Sequence, residues 1–325
     1  MTMMITRRIP LMIAGFALVA AACVPAAPNS TPPAPNAPAP DRTGTPNGSI
    51  AGCPVFPADN AWNIDVSGLS KRANSDAVIA QIQTDGADFL HADFGGAGAY
   101  GIPYVTVPAD EPLVPTNFVD WPGESDPGPY PIPLGAPIEG GSDRHVLAVQ
   151  LGACKLFELY NASPAGGRWD ASNGAVFNLR SNALRPEGWT SADAAGLPIF
   201  AGLARYDEVA AGVINHALRV TFQRTQRGYV HPATHFASSD ASVNRPPMGL
   251  RLRLKAAYDL SGFHGQSLVI LRALKTYGLL VADNGSNWFI TGAADTRWDD
   301  NDLNQLKSVP GTAFEVLDTG PVITG

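Results

Sequence analysis

The stretch Arg144-His-Val-Leu-Ala-Val-Gln-Leu-Gly-Ala-Cys-Lys-Leu-Phe-Glu-Leu-Tyr160 decides the fold. Residues 145–151 and 156–160 are short runs of Val, Leu and aromatic side chains separated at Gly152, the pattern of two strands rather than a helix. Side chains alternate across a strand, so His145 shares a face with Leu147, Val149 and Leu151. Working outward, the same signature recurs at 104–107, 174–179, 213–222, 249–256, 278–283 and 287–291, each run bounded by Gly, Pro, Asn or Asp. Only two helices are predicted. One covers 74–84 behind an Asn or Ser cap, and the other covers 266–277 and stops at Gly278, a residue suited to a left-handed cap. The expected fold is mainly β, a β-sandwich or jelly-roll with a few short helices and long Pro/Gly-rich loops.

Composition agrees. Of 325 residues, 33 are Gly and 29 are Pro, which favours turns over helical bundles. Charged residues make up 16% of the chain with a net charge of −7, so a strongly basic nucleic-acid binder and a highly charged disordered protein are both excluded.

The amino terminus reads as an address. Arg7 and Arg8 precede an apolar run over 9–22 that is too short to span a bilayer and ends in three alanines before Cys23. This segment resembles the signal of bacterial lipoproteins, with Ala20 where Leu is usual. That resemblance implies cleavage after residue 22, lipidation at Cys23 and attachment to a membrane of the cell envelope. The alternative is an ordinary secretory signal with Cys23 left over. Residues 23–52 hold eight prolines among small polar residues and too little apolar surface to offset ordering, so they are expected to be an extended tether. The domain is expected to run from 53 to 325. An exported chain permits a disulfide, and with Cys23 taken by the anchor the remaining pair is Cys53 with Cys154.

No G-x-S-x-G elbow, P-loop, H-E-x-x-H or paired C-x-x-C is present, so the commonest enzyme signatures are missing. No cofactor and no metal site is expected, and the acidic groups around Asp283 and Asp299 read as turns. Candidate chemistry rests on polar residues in apolar company. His145 and His216 each alternate with aliphatic residues, which fits either core histidines bonded to carbonyls or acid/base groups lining a cleft. Glu158 stands on the strand after His145 and joins them as a catalytic candidate. Arg251, Arg253 and Lys255 share one strand face, readable as a solvated surface or, with Arg144, as a groove for a carboxylated glycan. The run Trp121-Pro-Gly-Glu-Ser-Asp-Pro-Gly-Pro-Tyr-Pro-Ile-Pro133 can be neither helix nor interior strand and is expected to be a long ordered loop, with Trp121 and Tyr130 offered to a ligand. Trp169, Trp189, Trp288 and Trp298 also sit in loop-like contexts, where aromatics bind sugars or cap the sandwich ends.

The stretches Glu124-Ser-Asp-Pro-Gly-Pro-Tyr-Pro-Ile-Pro133, Asp143-Arg-His-Val146, Gly188-Trp-Thr-Ser-Ala-Asp-Ala-Ala-Gly-Leu-Pro198 and Pro246-Pro-Met-Gly-Leu-Arg-Leu-Arg-Leu-Lys255 resemble a group of exported bacterial proteins. The resemblance covers most of 53–318 and implies export, but it brings no catalytic residue with it. The expected function is that of an exported, lipid-anchored, carbohydrate-active protein, a polysaccharide hydrolase or lyase. The alternatives are a non-catalytic glycan-binding module and a structural envelope lipoprotein.

Overall fold

The computed structural model describes residues 48–95 and 100–324. The signal over 1–22, the lipidation site Cys23 and the tether up to residue 47 lie outside the described residues. The described residues begin a little before the expected boundary. β1 (Ser49–Ile50) pairs with β2 (Cys53–Pro54) through a turn in which Ala51 and Gly52 both have positive φ, 47° and 85°, as a two-residue hairpin turn requires.

Helix α1 (Ser75–Thr84) follows and buries Val78, Ile79 and Ile82, a stripe at helical spacing. The middle of the chain forms β3 (Tyr104–Val107), β4 (Thr116–Phe118), β5 (Val146–Gln150), β6 (Lys155–Tyr160), β7 (Ser163–Ala165), β8 (Arg168–Ala171) and β9 (Asn173–Asn178). The last third carries α2 (Tyr206–Ala210), β10 (Leu218–Phe222), β11 (Arg251–Leu254), α3 (Gly265–Thr276), β12 (Leu279–Asn284), β13 (Phe289–Ile290), α4 (Asp300–Leu303) and β14 (Phe314–Val316). Over the described residues together strand outweighs helix, so the protein is mainly β with only short helices.

The strands form a four-stranded sheet in the order β3-β5-β6-β9, a five-stranded sheet β13-β10-β12-β11-β14, and a small sheet β4-β8-β7. Most neighbours are antiparallel, but β3 with β5, β10 with β12 and β4 with β8 run parallel. Helix α3 lies in the connection between β11 and β12 and stops as expected: Tyr277 closes it and Gly278 takes φ +70°. A Cβ at Gly278 would collide with the Leu252 carbonyl, so glycine is needed for the approach as well as for the dihedral.

Alternation splits the four-stranded sheet between two cores. Leu147, Val149, Leu156 and Phe177 join Leu218, Val220, Leu252 and Leu279 of the five-stranded sheet, together with α1 and α3, in the larger core. Val146, Ala148, Phe157 and Leu159 face the other way and pack with Tyr130, Ile132, Trp169 and Ala171. The four-stranded sheet is thus buried on both faces, which explains why its strands read as nearly unbroken apolar runs. Each enclosed Leu or Val side chain contributes about 1.5–3 kcal/mol by its removal from water. The shared core is compatible with the expected sandwich, with the small sheet and the proline-rich loop added outside.

Cys53 and Cys154 form a disulfide across 101 residues, with a Cα–Cα separation of 5.3 Å. It ties the β1–β2 hairpin to the turn between β5 and β6. Loop closure of this size stabilises by up to about 4.7 kcal/mol in the chain-entropy model. The Cys53→Ala/Cys154→Ala double variant is therefore expected to lose about 2–5 kcal/mol in urea unfolding. An unchanged midpoint would show that the crosslink constrains nothing.

Candidate functional site

Between the sheets lies a layer of charged side chains. Arg219 projects from β10 and is nearly enclosed, so each guanidinium donor needs an acceptor inside the protein. Asp193 provides a fork, accepting from Nε at 3.0 Å and from a terminal nitrogen at 2.7 Å, and Thr291 Oγ1 accepts the other terminal nitrogen at 2.6 Å. Asp193 itself is held in the loop before the 3-10 turn at 200–202, where Ser191 Oγ donates to its carbonyl and accepts from its N–H.

His145 stands next to this pair. Its Nδ1 bonds Glu139 and its Nε2 meets the Ala192 carbonyl at 3.0 Å. Both partners only accept, so both ring nitrogens must donate, and the ring is held as an imidazolium. Burial opposes that charge, yet the hydrogen bond and negative charge of Glu139 outweigh it and raise the imidazole above its ordinary value. For Glu139 burial works against the carboxylate, and His145 overrides it to hold the carboxyl low. A histidine that keeps both protons is a fixed cation rather than a base. Glu158, on the same face of the sheet, is wholly buried and accepts from the N–H groups of Ile199 at 3.0 Å and Phe200 at 2.9 Å. Burial pushes its carboxyl up to about 7 against the pull of those two donors.

Above this layer opens a cleft of about 270 Å³. Trp121 and Tyr160 form one part of its wall, with ring centroids 6.2 Å apart and planes inclined by 44°. Trp121 is 43% exposed, whereas Trp169 and Trp288 are completely enclosed and Trp298 nearly so. The last three indoles therefore fill cores rather than meet a ligand. Asp143 stands exposed at the rim, and Asp283 and Asn284 enter from the end of β12. Asp283 is 27% exposed and lies 3.9 Å from Arg219. Its carboxyl is raised, first by burial and then by the like charge of Asp193, with Arg219 pulling the other way. His235 completes the lining; its Nδ1 lies 2.7 Å from the Ala194 carbonyl. The Thr190 and Ser191 hydroxyls donate to backbone carbonyls and are spent on structure.

The sequence-derived candidates are divided by this geometry. Trp121 lines the cleft, and His145 lies against it, its ring 5.6 Å from that of Tyr160. Glu158 sits in the buried layer below. His216 does not join them: it precedes β10, and its ring nitrogens meet the Ala217 carbonyl at 2.8 Å and Glu208 at 3.1 Å. Tyr130 turns inward rather than outward, fully buried with its hydroxyl on the Asp126 carbonyl at 2.7 Å. The loop around it is ordered as expected, through Asp126 accepting from the Val176 N–H at 2.8 Å and pairing with Arg185.

The expected anion groove is filled by protein. Arg251 donates to the Tyr277 carbonyl at 2.6 Å and to the Ala61 carbonyl, and burial pulls its guanidinium down to about 9. Arg253 pairs with Glu315 at 2.7 Å and donates to the carbonyls of Val66 and Ser67, both at 2.6 Å. Arg144, beside the rim residue Asp143, gives its Nε to the Ala162 carbonyl at 3.1 Å. The sequence reading missed the parts that define the site: Asp193 paired with Arg219, Asp283 as a carboxyl closing an apolar strand, and His235. The first two carried a signal, a charge placed inside an apolar run. His235, in the irregular segment after His231-Pro232, carried none.

No family model, curated protein or solved structure matches the chain.

Glu158 yields a pH prediction. Its folded value near 7 exceeds the ordinary 4.5, so the folded state binds this proton more tightly and loses stability as pH rises from about 4.5 through 7. Glu158→Gln cannot ionise and escapes that loss. Its stability relative to the parent is expected to rise by about 3 kcal/mol between pH 4.5 and pH 8 in chemical denaturation. A constant difference across this range would contradict the burial of a titrating carboxyl there.

Proposed function

We propose that the protein is a carbohydrate-active protein of the cell envelope, anchored through a lipid at Cys23, and that its cleft binds a glycan and hydrolyses a glycosidic bond. One observation carries the reading: a half-exposed indole and a carboxyl whose hold on its proton is strengthened by burial and by Asp193 line the same cleft. A flat aromatic ring covers the apolar face of a sugar at low entropic cost. A carboxylic acid that stays protonated toward neutral pH supplies what a glycosidic leaving oxygen needs, a proton donor. Asp283 takes that role.

The charges around the cleft also speak to the substrate. Its lining among the described residues holds Asp143 and Asp283 and neither lysine nor arginine. Arg251 and Arg253, expected to grip carboxylates, are occupied elsewhere. A neutral or amine-bearing glycan therefore suits the cleft better than a polyuronate, and hydrolysis suits it better than lyase chemistry. A second reading, a glycan-binding module without turnover, draws support from His145 being a fixed cation and from the engaged hydroxyls of Thr190 and Ser191.

The test is incubation with a panel of neutral, amine-bearing and acidic polysaccharides, scored by new reducing ends. Hydrolysis of a neutral or amine-bearing member is expected. Asp283→Asn should lower turnover by about 10²–10⁴-fold while leaving binding in place, and Trp121→Ala should weaken binding. Retention of glycan without reducing ends would select the binding module. Neither binding nor cleavage across the panel would overturn both readings.

A further inference from the structure

We infer that His235 is the general base of the cleft, taking through Nε2 the proton of the water that attacks the anomeric carbon. The inference rests on the glycan-hydrolysing reading given above and names the second half of its chemistry.

Three histidines lie near or below the cleft or have been candidates for it, and their hydrogen bonds separate them. His145 and His216 each place both ring nitrogens against acceptors, so neither has a free lone pair to offer. His235 is built differently. Its Nδ1 faces the Ala194 carbonyl at 2.7 Å, and a carbonyl can only accept, so Nδ1 carries the hydrogen. In the neutral ring the lone pair must then be on Nε2, which has no hydrogen-bond partner among the described residues. The ring is steadied by Phe236, whose plane lies within 13° of it at a centroid distance of 6.0 Å. A backbone acceptor on one nitrogen and a free lone pair on the other is the arrangement a base needs, because the tautomer and the ring orientation are fixed before the substrate arrives.

Among the described lining residues Ser191 and Thr190 spend their hydroxyls on backbone carbonyls. The exposed Asp143 at the rim is the competing nucleophile, and attack by it would retain the anomeric configuration. In the inferred reaction water is the attacking group. A bond forms between its oxygen and the anomeric carbon while the bond from that carbon to the glycosidic oxygen breaks. One water proton passes to His235 Nε2 and the Asp283 proton passes to the departing oxygen. The products are a hemiacetal and an alcohol, and exchange with solvent returns both side chains to their starting forms. Direct attack by water inverts the anomeric configuration.

The experiment uses the whole protein and the polysaccharide that the panel identifies. His235→Asn keeps an N–H that can reach the Ala194 carbonyl but removes the lone pair, and His235→Ala opens a space for added imidazole. Both are expected to cut turnover by about 10²–10⁴-fold with glycan binding unchanged, imidazole should restore at least about tenfold of it in His235→Ala, and the first-formed product should be inverted. A ¹⁵N spectrum of the parent should show the neutral ring protonated at Nδ1. Turnover by His235→Asn within about threefold of the parent, a neutral ring protonated at Nε2, or a retained anomeric configuration would each overturn the inference while leaving the glycan-hydrolysing reading in place. A parent that cleaves no glycan would end that reading, and the base with it.

Discussion

A guanidinium enclosed between two sheets must find its acceptors there, and in this fold Arg219 finds them in Asp193 and Thr291. Leaving either charge alone in that position costs several kcal/mol, so the loop that carries Asp193 has little freedom once the sheets have closed. Its neighbours inherit the constraint. The Ala192 carbonyl stands where His145 can bond it, and the Ala194 carbonyl stands where His235 can bond it. The same guanidinium lies behind Asp283 and moderates a carboxyl that burial and Asp193 together drive upward. One buried ion pair therefore sets the shape of the cleft floor and the protonation of its wall.

The layer beneath the cleft is also where the two sheets are least like an ordinary apolar core. Glu158, His145, Glu139, Asp193 and Arg219 would each be costly alone, and each is satisfied by a partner of opposite charge or by backbone N–H groups. Such a network specifies one arrangement of the loops above it more tightly than side-chain packing does. That rigidity suits the proposed role, in which two side chains meet a sugar at fixed positions.

Much of the framework was legible because it is local. The strand at Tyr104–Val107 was read to the residue, and the strands around Gly152 to within one residue at each end, since alternation and turn residues lie within a few positions of each other. The disulfide followed from the cysteine count, and Leu147, Val149 and Leu151 face the larger core together, as their alternation implies. What failed to show was long-range. Alternation told that Arg251 and Arg253 share a face but not that residues 61–67 and Glu315 would cover it. Alternation also carried the strand of His216 too far back, because Ala217 pairs with Trp62 rather than continuing the ladder. The Asp193–Arg219 pair joins a loop to a strand across 26 residues, and no periodicity announces such a meeting.

The central claim is that the cleft between Trp121 and Asp283 is the place where this protein meets a sugar. The most direct measurement is a titration of the isotope-labelled protein with the preferred oligosaccharide, followed by NMR through the indole N–H of Trp121, the ring of His235 and the amides of Tyr160 and Asn284. The account predicts that these signals shift together and saturate with one affinity, while the enclosed indoles of Trp169 and Trp288 hold still. Saturable shifts confined to another surface, with the Trp121 and His235 signals unmoved, would contradict it.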